Sequence, residues 1–117
     1  MAIDVVFAGI PVSELEPALD WYERFLGRPP DMSPNADERA WQLTDDGWLY
    51  VVADRERAGG GLTTLLVDDL DARIAELGER GIETGEVERL NEQTRKLVVS
   101  DPDGNRIQLG EVVSSEG

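Results

Sequence analysis

The sequence predicts an α+β fold made of two tandem βαβββ modules whose sheets curve together. Two stretches have the apolar spacing of an amphipathic helix, and each follows a β-branched run that is typical of a strand. Corresponding features recur about 55 residues apart. They are Val12–Glu16 with Val67–Asp71, Gly27 with Gly81, and the turn at Gly47 with the turn at Gly104. Half of so short a chain is too small to be stable alone, so we expect the helix-facing sides of both sheets to be buried together.

The first module is predicted to begin with a strand over Ala2–Ile10, followed by a helix. Ser13 occupies the N-cap position and Glu16 completes a capping box. Apolar residues recur at helical spacing from Leu15 to Leu26, and Gly27 is the expected C-cap. The proline-rich stretch that follows predicts a loop with at most a short strand.

A hairpin is predicted next, because Asp45-Asp46-Gly47 separates two β-rich runs, Glu38–Thr44 and Trp48–Asp54. The charged segment Arg55–Gly61 ends in three glycines and is typical of a flexible linker. We therefore predict one domain over residues 1–117, with a first module of about 1–57, a linker of about 58–61 and a second module of about 62–113.

The second module repeats this plan. Leu62–Val67 is a predicted strand, and Asp68 or Asp69 is expected to cap a helix that ends near Gly81. A short strand is predicted within Ile82–Leu90. The last hairpin consists of Lys96–Ser100 and Arg106–Leu109 around a turn rich in aspartate, proline and glycine.

Charge and composition restrict the function. The formal net charge is −14, which argues against binding nucleic acid through its phosphates. Solubility or an acidic proteome in the source organism explains the acidity more simply than attraction of a cationic ligand into an acidic cleft, which stays open as the alternative. Cysteine is absent, so no disulfide framework or thiolate chemistry is expected. No long apolar run or signal-peptide pattern occurs, and we expect a cytoplasmic protein without a membrane span.

The final turn carries a family resemblance. Asp101–Asn105, followed by the alternating strand Arg106–Leu109, resembles the vicinal-oxygen-chelate superfamily, which includes glyoxalase I, bleomycin-resistance proteins, extradiol dioxygenases and fosfomycin-resistance transferases. The internal repeat extends the resemblance over essentially the whole chain. The resemblance implies that the two βαβββ modules form a curved mixed sheet around a cavity.

In the metalloenzymes of that superfamily, four strands project metal ligands into the cavity. Carried over by register, these positions are Phe7, Val51, Leu62 and Gln108. The first three side chains have no lone pair for a metal, and one amide oxygen is too little alone. We therefore predict no metal, no cofactor and no catalytic residue, although a site made only of carboxylates remains an alternative.

Strand alternation predicts which side chains face the cavity. The predicted ligand-binding residues, mostly apolar with a few polar groups, are Phe7, Trp41, Leu49, Val51, Leu62, Thr64, Arg106 and Gln108. The parity of Trp48 and Tyr50 assigns them to the helix-packing side. The direction of Trp41 is left open by the register of its strand, and Trp21 lies where a subunit contact would be made.

The resemblance and the absent ligand set together predict a metal-independent small-molecule-binding protein of the bleomycin-resistance type. It would sequester an antibiotic or secondary metabolite, cationic or aromatic, and would be a homodimer, as related proteins are. Two alternatives stay open. One is a lyase, isomerase or oxygenase with an atypical site, and the other is an accessory module that binds another protein.

Overall fold

The structure is a computed structural model that describes residues 1–113. It has two four-stranded mixed sheets and two helices, and it confirms the predicted α+β fold of two βαβββ modules. The elements in chain order are β1 (Val6–Val12), α1 (Leu15–Leu26), β2 (Met32–Asn35), β3 (Glu38–Thr44), β4 (Gly47–Ala53), β5 (Leu62–Leu66), α2 (Leu70–Glu79), β6 (Glu88–Arg89), β7 (Thr94–Ser100) and β8 (Arg106–Val112).

Each module forms its own sheet. The strand orders are β1-β4-β3-β2 and β5-β8-β7-β6, with the first strand of each module parallel to its last. Consequently β1 and β5 are edge strands. One predicted boundary was wrong, because Ala2–Val5 precede β1. The short strand predicted within Ile82–Leu90 is confirmed as Glu88–Arg89.

The start of α1 differs from the prediction. Glu14, not Ser13, is the N-cap residue, and it makes no capping hydrogen bond through its side chain. Ser13 instead contacts the second module, because its backbone N–H and its hydroxyl both donate to the Asp103 carboxylate, at 3.0 and 2.6 Å. The predicted end of the helix is confirmed, since Gly27 has the left-handed φ of 81° that a glycine C-cap requires.

The start of α2 is held by two acidic side chains. Asp69 is the N-cap residue, as predicted, and its carboxylate accepts the Ala72 N–H at 3.2 Å. Glu111, from β8, accepts the Leu70 N–H at 2.7 Å and receives two donor nitrogens of Arg95. The Leu70 N–H and then Arg95 lower the pKa of Glu111, because both favour the charged carboxylate.

The helix-facing sides of both sheets share one apolar core. It combines buried residues of α1 and α2 with those of the central strands, and its largest fully buried side chains are Trp41, Tyr22, Ile10, Leu49, Leu70, Leu97 and Ile107. Neither helix within residues 1–113 has the length and apolar composition needed to cross a membrane.

A buried polar cluster also joins the modules at the final turn. The Asp101 carboxylate accepts the Tyr22 hydroxyl at 2.7 Å and the Asn105 side-chain amide at 2.8 Å. The same amide donates to the Pro11 carbonyl, and the side-chain oxygen Oδ1 of Asn105 accepts the Gly61 N–H. Burial, together with donation to Asp101, raises the pKa of Tyr22 far above its ordinary value. The linker is thereby tied to the turn that the sequence singled out.

Candidate ligand-binding faces

Each sheet has one side that no helix covers, which we call its open face. Cross-strand pairing defines the members, because directly paired residues share a face. The open face of the first sheet includes Phe7, Gly9, Ala40, Gln42, Trp48 and Tyr50. The open face of the second sheet includes Leu62, Thr64, Leu66, Val98, Arg106 and Gln108.

The first open face is an aromatic surface. The Phe7 and Trp48 rings are stacked, with centroids 5.5 Å apart and an interplanar angle of 18°, and the Tyr50 ring lies 6.4 Å from Phe7. Gly9 lacks a side chain where one would collide, since a Cβ there would lie 2.4 Å from Cζ of Tyr50. The glycine therefore lets Tyr50 lie flat across β1, and the three rings form a surface suited to stacking on a planar or cationic group.

The second open face is aliphatic with polar groups between. Leu62 and Leu66 are 67% and 71% exposed, whereas the core leucines Leu49 and Leu97 are almost fully buried. Arg106 and Gln108 follow each other on the same face of β8, opposite Leu62 and Thr64 of β5. Within residues 1–113, Arg106 forms no ion pair. Its guanidinium and the Gln108 amide can therefore donate hydrogen bonds to a ligand.

The predicted orientation of β4 was wrong. Leu49 and Val51 are 1% and 0% exposed and belong to the core, whereas Trp48 and Tyr50 lie on the open face. The reason is the hairpin geometry. Two residues separate β3 from β4, but five separate β7 from β8. The prediction aligned the two modules on their turn glycines, Gly47 and Gly104. Because the turns differ in length, this alignment places the residues of β4 one position out of register with those of β8. An error of one residue exchanges the two faces of a strand.

The pairing corrects the equivalence between modules. Gly9 pairs with Tyr50 and Thr64 pairs with Gln108, while Gly9 and Thr64 are themselves 55 residues apart. Tyr50, not Val51, is thus the counterpart of Gln108. Sequence reasoning missed Trp48 and Tyr50, although pairing β4 with Phe7 and Gly9 of β1 would have assigned both to the open face.

Unlike Trp48, the other two tryptophans lie in the core. Trp41, predicted at the cavity, is fully buried beside Tyr22, and its Nε1–H donates to the Arg28 carbonyl at 3.0 Å. Trp21, predicted at a subunit contact, stacks on Phe25 with centroids 5.1 Å apart. Of the eight predicted ligand-binding residues, five lie on open faces: Phe7, Leu62, Thr64, Arg106 and Gln108.

Acidic groups do not converge on the open faces. Within residues 1–113, no three acidic side chains are placed to hold a metal ion. Carboxylates with a lowered pKa lie elsewhere: Glu111 caps α2, while Arg28 stabilises the charged form of Asp31 and Arg57 that of Asp54. The chemistry of the open faces is therefore stacking, apolar contact and hydrogen bonding.

Comparison with known proteins decides the family. The family model of the Glyoxalase/Bleomycin resistance protein/Dioxygenase superfamily matches residues 3–109. The chain belongs to this superfamily. The predicted resemblance is thus confirmed. No sequence among the curated proteins matches significantly.

Solved structures agree with this assignment. A glyoxalase/bleomycin resistance protein from Catenulispora acidiphila is 41% identical, with a TM-score of 0.87 over 92% of this chain and 97% of that one. TnmS3, an antibiotic binding protein from Streptomyces sp. CB03234, is 31% identical, with a TM-score of 0.78 over 96% of this chain and 98% of that one. A glyoxalase/bleomycin resistance protein from Albidiferax ferrireducens, 18% identical with a TM-score of 0.67 over 90% and 95% of the two chains, shares the fold.

The superfamily's metalloenzymes imply a metal, and the side chains at the corresponding positions do not fit one. With the corrected register these positions are Phe7, Tyr50, Leu62 and Gln108. Phe7 and Leu62 have no donor atom, and a phenol and an amide are poor ligands for a divalent ion. The donor set therefore gives no basis for a reaction step through a metal.

Proposed function

We propose that this protein is a metal-independent small-molecule-binding protein of the bleomycin-resistance type, which sequesters an antibiotic or secondary metabolite in the cytoplasm. The observation that carries the proposal is the aromatic surface formed by Phe7, which is 48% exposed, and by the partly exposed Trp48 and Tyr50. Partly exposed aromatic rings grouped on one face are typical of a binding surface, because burying them against a ligand is favourable. The antibiotic-binding relative, TnmS3, supports the same class of function.

The proposed ligand is planar or aromatic, with or without a positive charge. A flat ring system would stack on Trp48 and Phe7, and the net charge of −14 would favour a cation near the aromatic faces. Gln108 and Arg106 would orient the ligand through hydrogen bonds to its oxygen atoms. We also propose Leu62 and Thr64 as contacts from the second open face.

We further propose that a homodimer completes the site. The second open face has a group of strongly exposed apolar side chains, since Leu62, Leu66 and Val112 are each at least 60% exposed. Exposed apolar patches of this kind are typical of a protein–protein interface. In such a dimer, the aromatic open face of one protomer would lie opposite the aliphatic open face of its partner. This arrangement would cover both faces and leave a pocket between them. Light scattering should give twice the chain mass of 12.9 kDa. A monomer at micromolar concentration would contradict this part of the proposal.

The function is tested by a thermal-shift screen against aromatic and cationic natural products, with and without divalent metals and a chelator. A ligand at a hundred times its Kd should add about 2.7 kcal/mol to the free energy of unfolding. That is a rise of several degrees for a domain of this size. A shift that the chelator leaves unchanged supports sequestration. A large shift from a metal alone would overturn the proposal and favour an enzyme with a carboxylate site.

A further inference from the structure

A cavity of about 190 Å³, partly open to solvent, lies on the opposite side of the second sheet from its open face. It is bounded by the end of α1, by α2, by β5 and the residue that follows it, and by β8. Its apolar lining consists of Phe25, Leu26, Leu65, Val67, Leu77 and Leu109. Leu65 and Leu109 pair across the sheet and alternate with Thr64 and Gln108 of the open face, so the sheet separates the two sites.

Arg80 lines this cavity and is poorly satisfied. Its side chain is half-buried, yet among residues 1–113 no carboxylate lies within ion-pair distance of it. One terminal nitrogen donates to the Phe25 carbonyl at a long 3.4 Å. Its Nε–H is buried and has no acceptor within the described residues. Buried donors are almost always paired, so an unpaired one indicates a missing partner.

Arg73 gives the cavity a second cationic side chain. It lies seven residues before Arg80 on α2, roughly 10 Å away along the helix axis. Arg73 makes an ion pair with Glu76 at 3.4 Å, but its Nε–H is also buried without an acceptor among residues 1–113. The cavity thus combines two cations and one carboxylate with an apolar middle, in a chain whose net charge is −14.

We propose that this cavity binds a small monocarboxylate with a short aliphatic or aromatic tail. The carboxylate lies against the guanidinium of Arg80, where a charge-assisted pair compensates the isolated cation. The tail contacts Phe25, Leu77 and Leu109. The size of the cavity suits a short tail of about four to six carbons. This site is independent of the aromatic surface proposed for sequestration.

The test uses the full chain and titrates hexanoate, 1-hexanol and acetate at constant pH and ionic strength. Tryptophan fluorescence reports binding, because Trp21 stacks on Phe25 and Phe25 lines the cavity. Hexanoate should bind saturably and at least tenfold more tightly than either analogue, since hexanol lacks the charge and acetate lacks the tail. Equal binding of hexanoate and hexanol would overturn the proposal.

Variants assign the carboxylate contact. Arg80→Met keeps the length of the side chain but removes the cation, and it should weaken hexanoate binding at least tenfold while leaving hexanol unchanged. Arg80→Lys should lie between the two. Trp48→Ala, on the aromatic open face, should bind hexanoate as the wild type does. Wild-type affinity in Arg80→Met would overturn the proposal. If that variant does not fold, Arg80→Gln, which also lacks the charge, decides, because wild-type hexanoate affinity in it would overturn the proposal.

Discussion

The open face of the first sheet is aromatic, whereas that of the second sheet is aliphatic and polar. Equivalent positions show the contrast directly. Gly9 and Tyr50 in the first sheet correspond to Thr64 and Gln108 in the second. The glycine provides room and the tyrosine fills it with a ring, while the threonine and glutamine provide hydrogen-bonding groups. The first module therefore has aromatic rings that can stack on a ligand, whereas the second has polar groups that can orient a ligand through hydrogen bonds. A duplicated fold can bring both kinds of contact to a single ligand.

The two hairpin turns differ as well. The turn at Asp101 supplies a buried carboxylate that binds Tyr22 of the other module, while the turn at Asp45 is exposed and binds nothing across the module boundary within the described residues. The start of α2 is capped by Glu111, but Ala53 occupies the equivalent position beside α1. The second module thus carries more of the polar contacts that hold the domain together.

The largest expected loss of stability comes from a substitution in the final turn. Asp101→Ala removes the acceptor of the Tyr22 hydroxyl and of the Asn105 amide, and buried donors left unpaired cost about 1–3 kcal/mol each. The free energy of unfolding should fall by about 3 kcal/mol or more. Asp45→Ala, the matched change in the exposed turn, should stay within about 0.5 kcal/mol. Urea unfolding measures both, and equal losses would show that the turns are equivalent after all.

The next effect depends on pH. Glu111→Ala removes the acceptor of the Leu70 N–H at the start of α2 and an ion-pair partner of Arg95, and it should destabilise the protein at pH 7. Because the folded-state pKa of Glu111 is lowered, its contribution is fully present above the carboxyl's ordinary pKa of about 4.3. The contribution is lost as the pH falls through the lowered value. The difference from wild type should therefore shrink on acidification. Glu88→Ala is the control: it removes an exposed acid whose ion pair with Lys96 measures 3.9 Å, and it should change the free energy of unfolding at pH 7 by less than about 0.5 kcal/mol.

Ligand binding separates the two open faces. Trp48→Ala removes a stacking partner and should weaken binding of an aromatic compound from the screen by about 1–3 kcal/mol, or roughly 5- to 150-fold. Leu66→Ala, on the other sheet, should weaken it by no more than about 1 kcal/mol. Calorimetric titration measures both. A greater loss from Leu66→Ala would assign the main contact to the aliphatic face.

The smallest effect on stability tests the fit of Gly9. A Cβ at this position meets only the outer end of the Tyr50 ring, which can move aside on the open face. Gly9→Ala should therefore change the free energy of unfolding by less than about 1 kcal/mol, yet weaken aromatic binding by displacing Tyr50. Thr64→Ala is the matched variant in the second sheet and should leave stacking intact. Unaltered binding in Gly9→Ala would remove Tyr50 from the site.

Local signals predicted most of the fold. Turn and cap residues determine the conformation of only a few neighbouring residues, so they can be recognised in the sequence. The examples here are the turns at Gly47 and Gly104, the C-cap at Gly27 and the N-cap at Asp69. The capping box at Ser13 was misleading, because a longer-range partner, Asp103, competes for that hydroxyl. Of the predicted ligand-binding residues, Phe7, Leu62, Thr64, Arg106 and Gln108 lie on the open faces, as the alternation along their strands predicted.

By itself, the sequence determined the repeat and the order of strands and helices. Only the tertiary structure decided which side of β4 faces outward. That choice depends on how β4 pairs with β1 and β3, and the lengths of the two hairpin turns alter the register by one residue. Trp41 pairs with the buried Leu49 and lies in the core, whereas Trp48 pairs with Phe7 and Gln42 and lies on the open face.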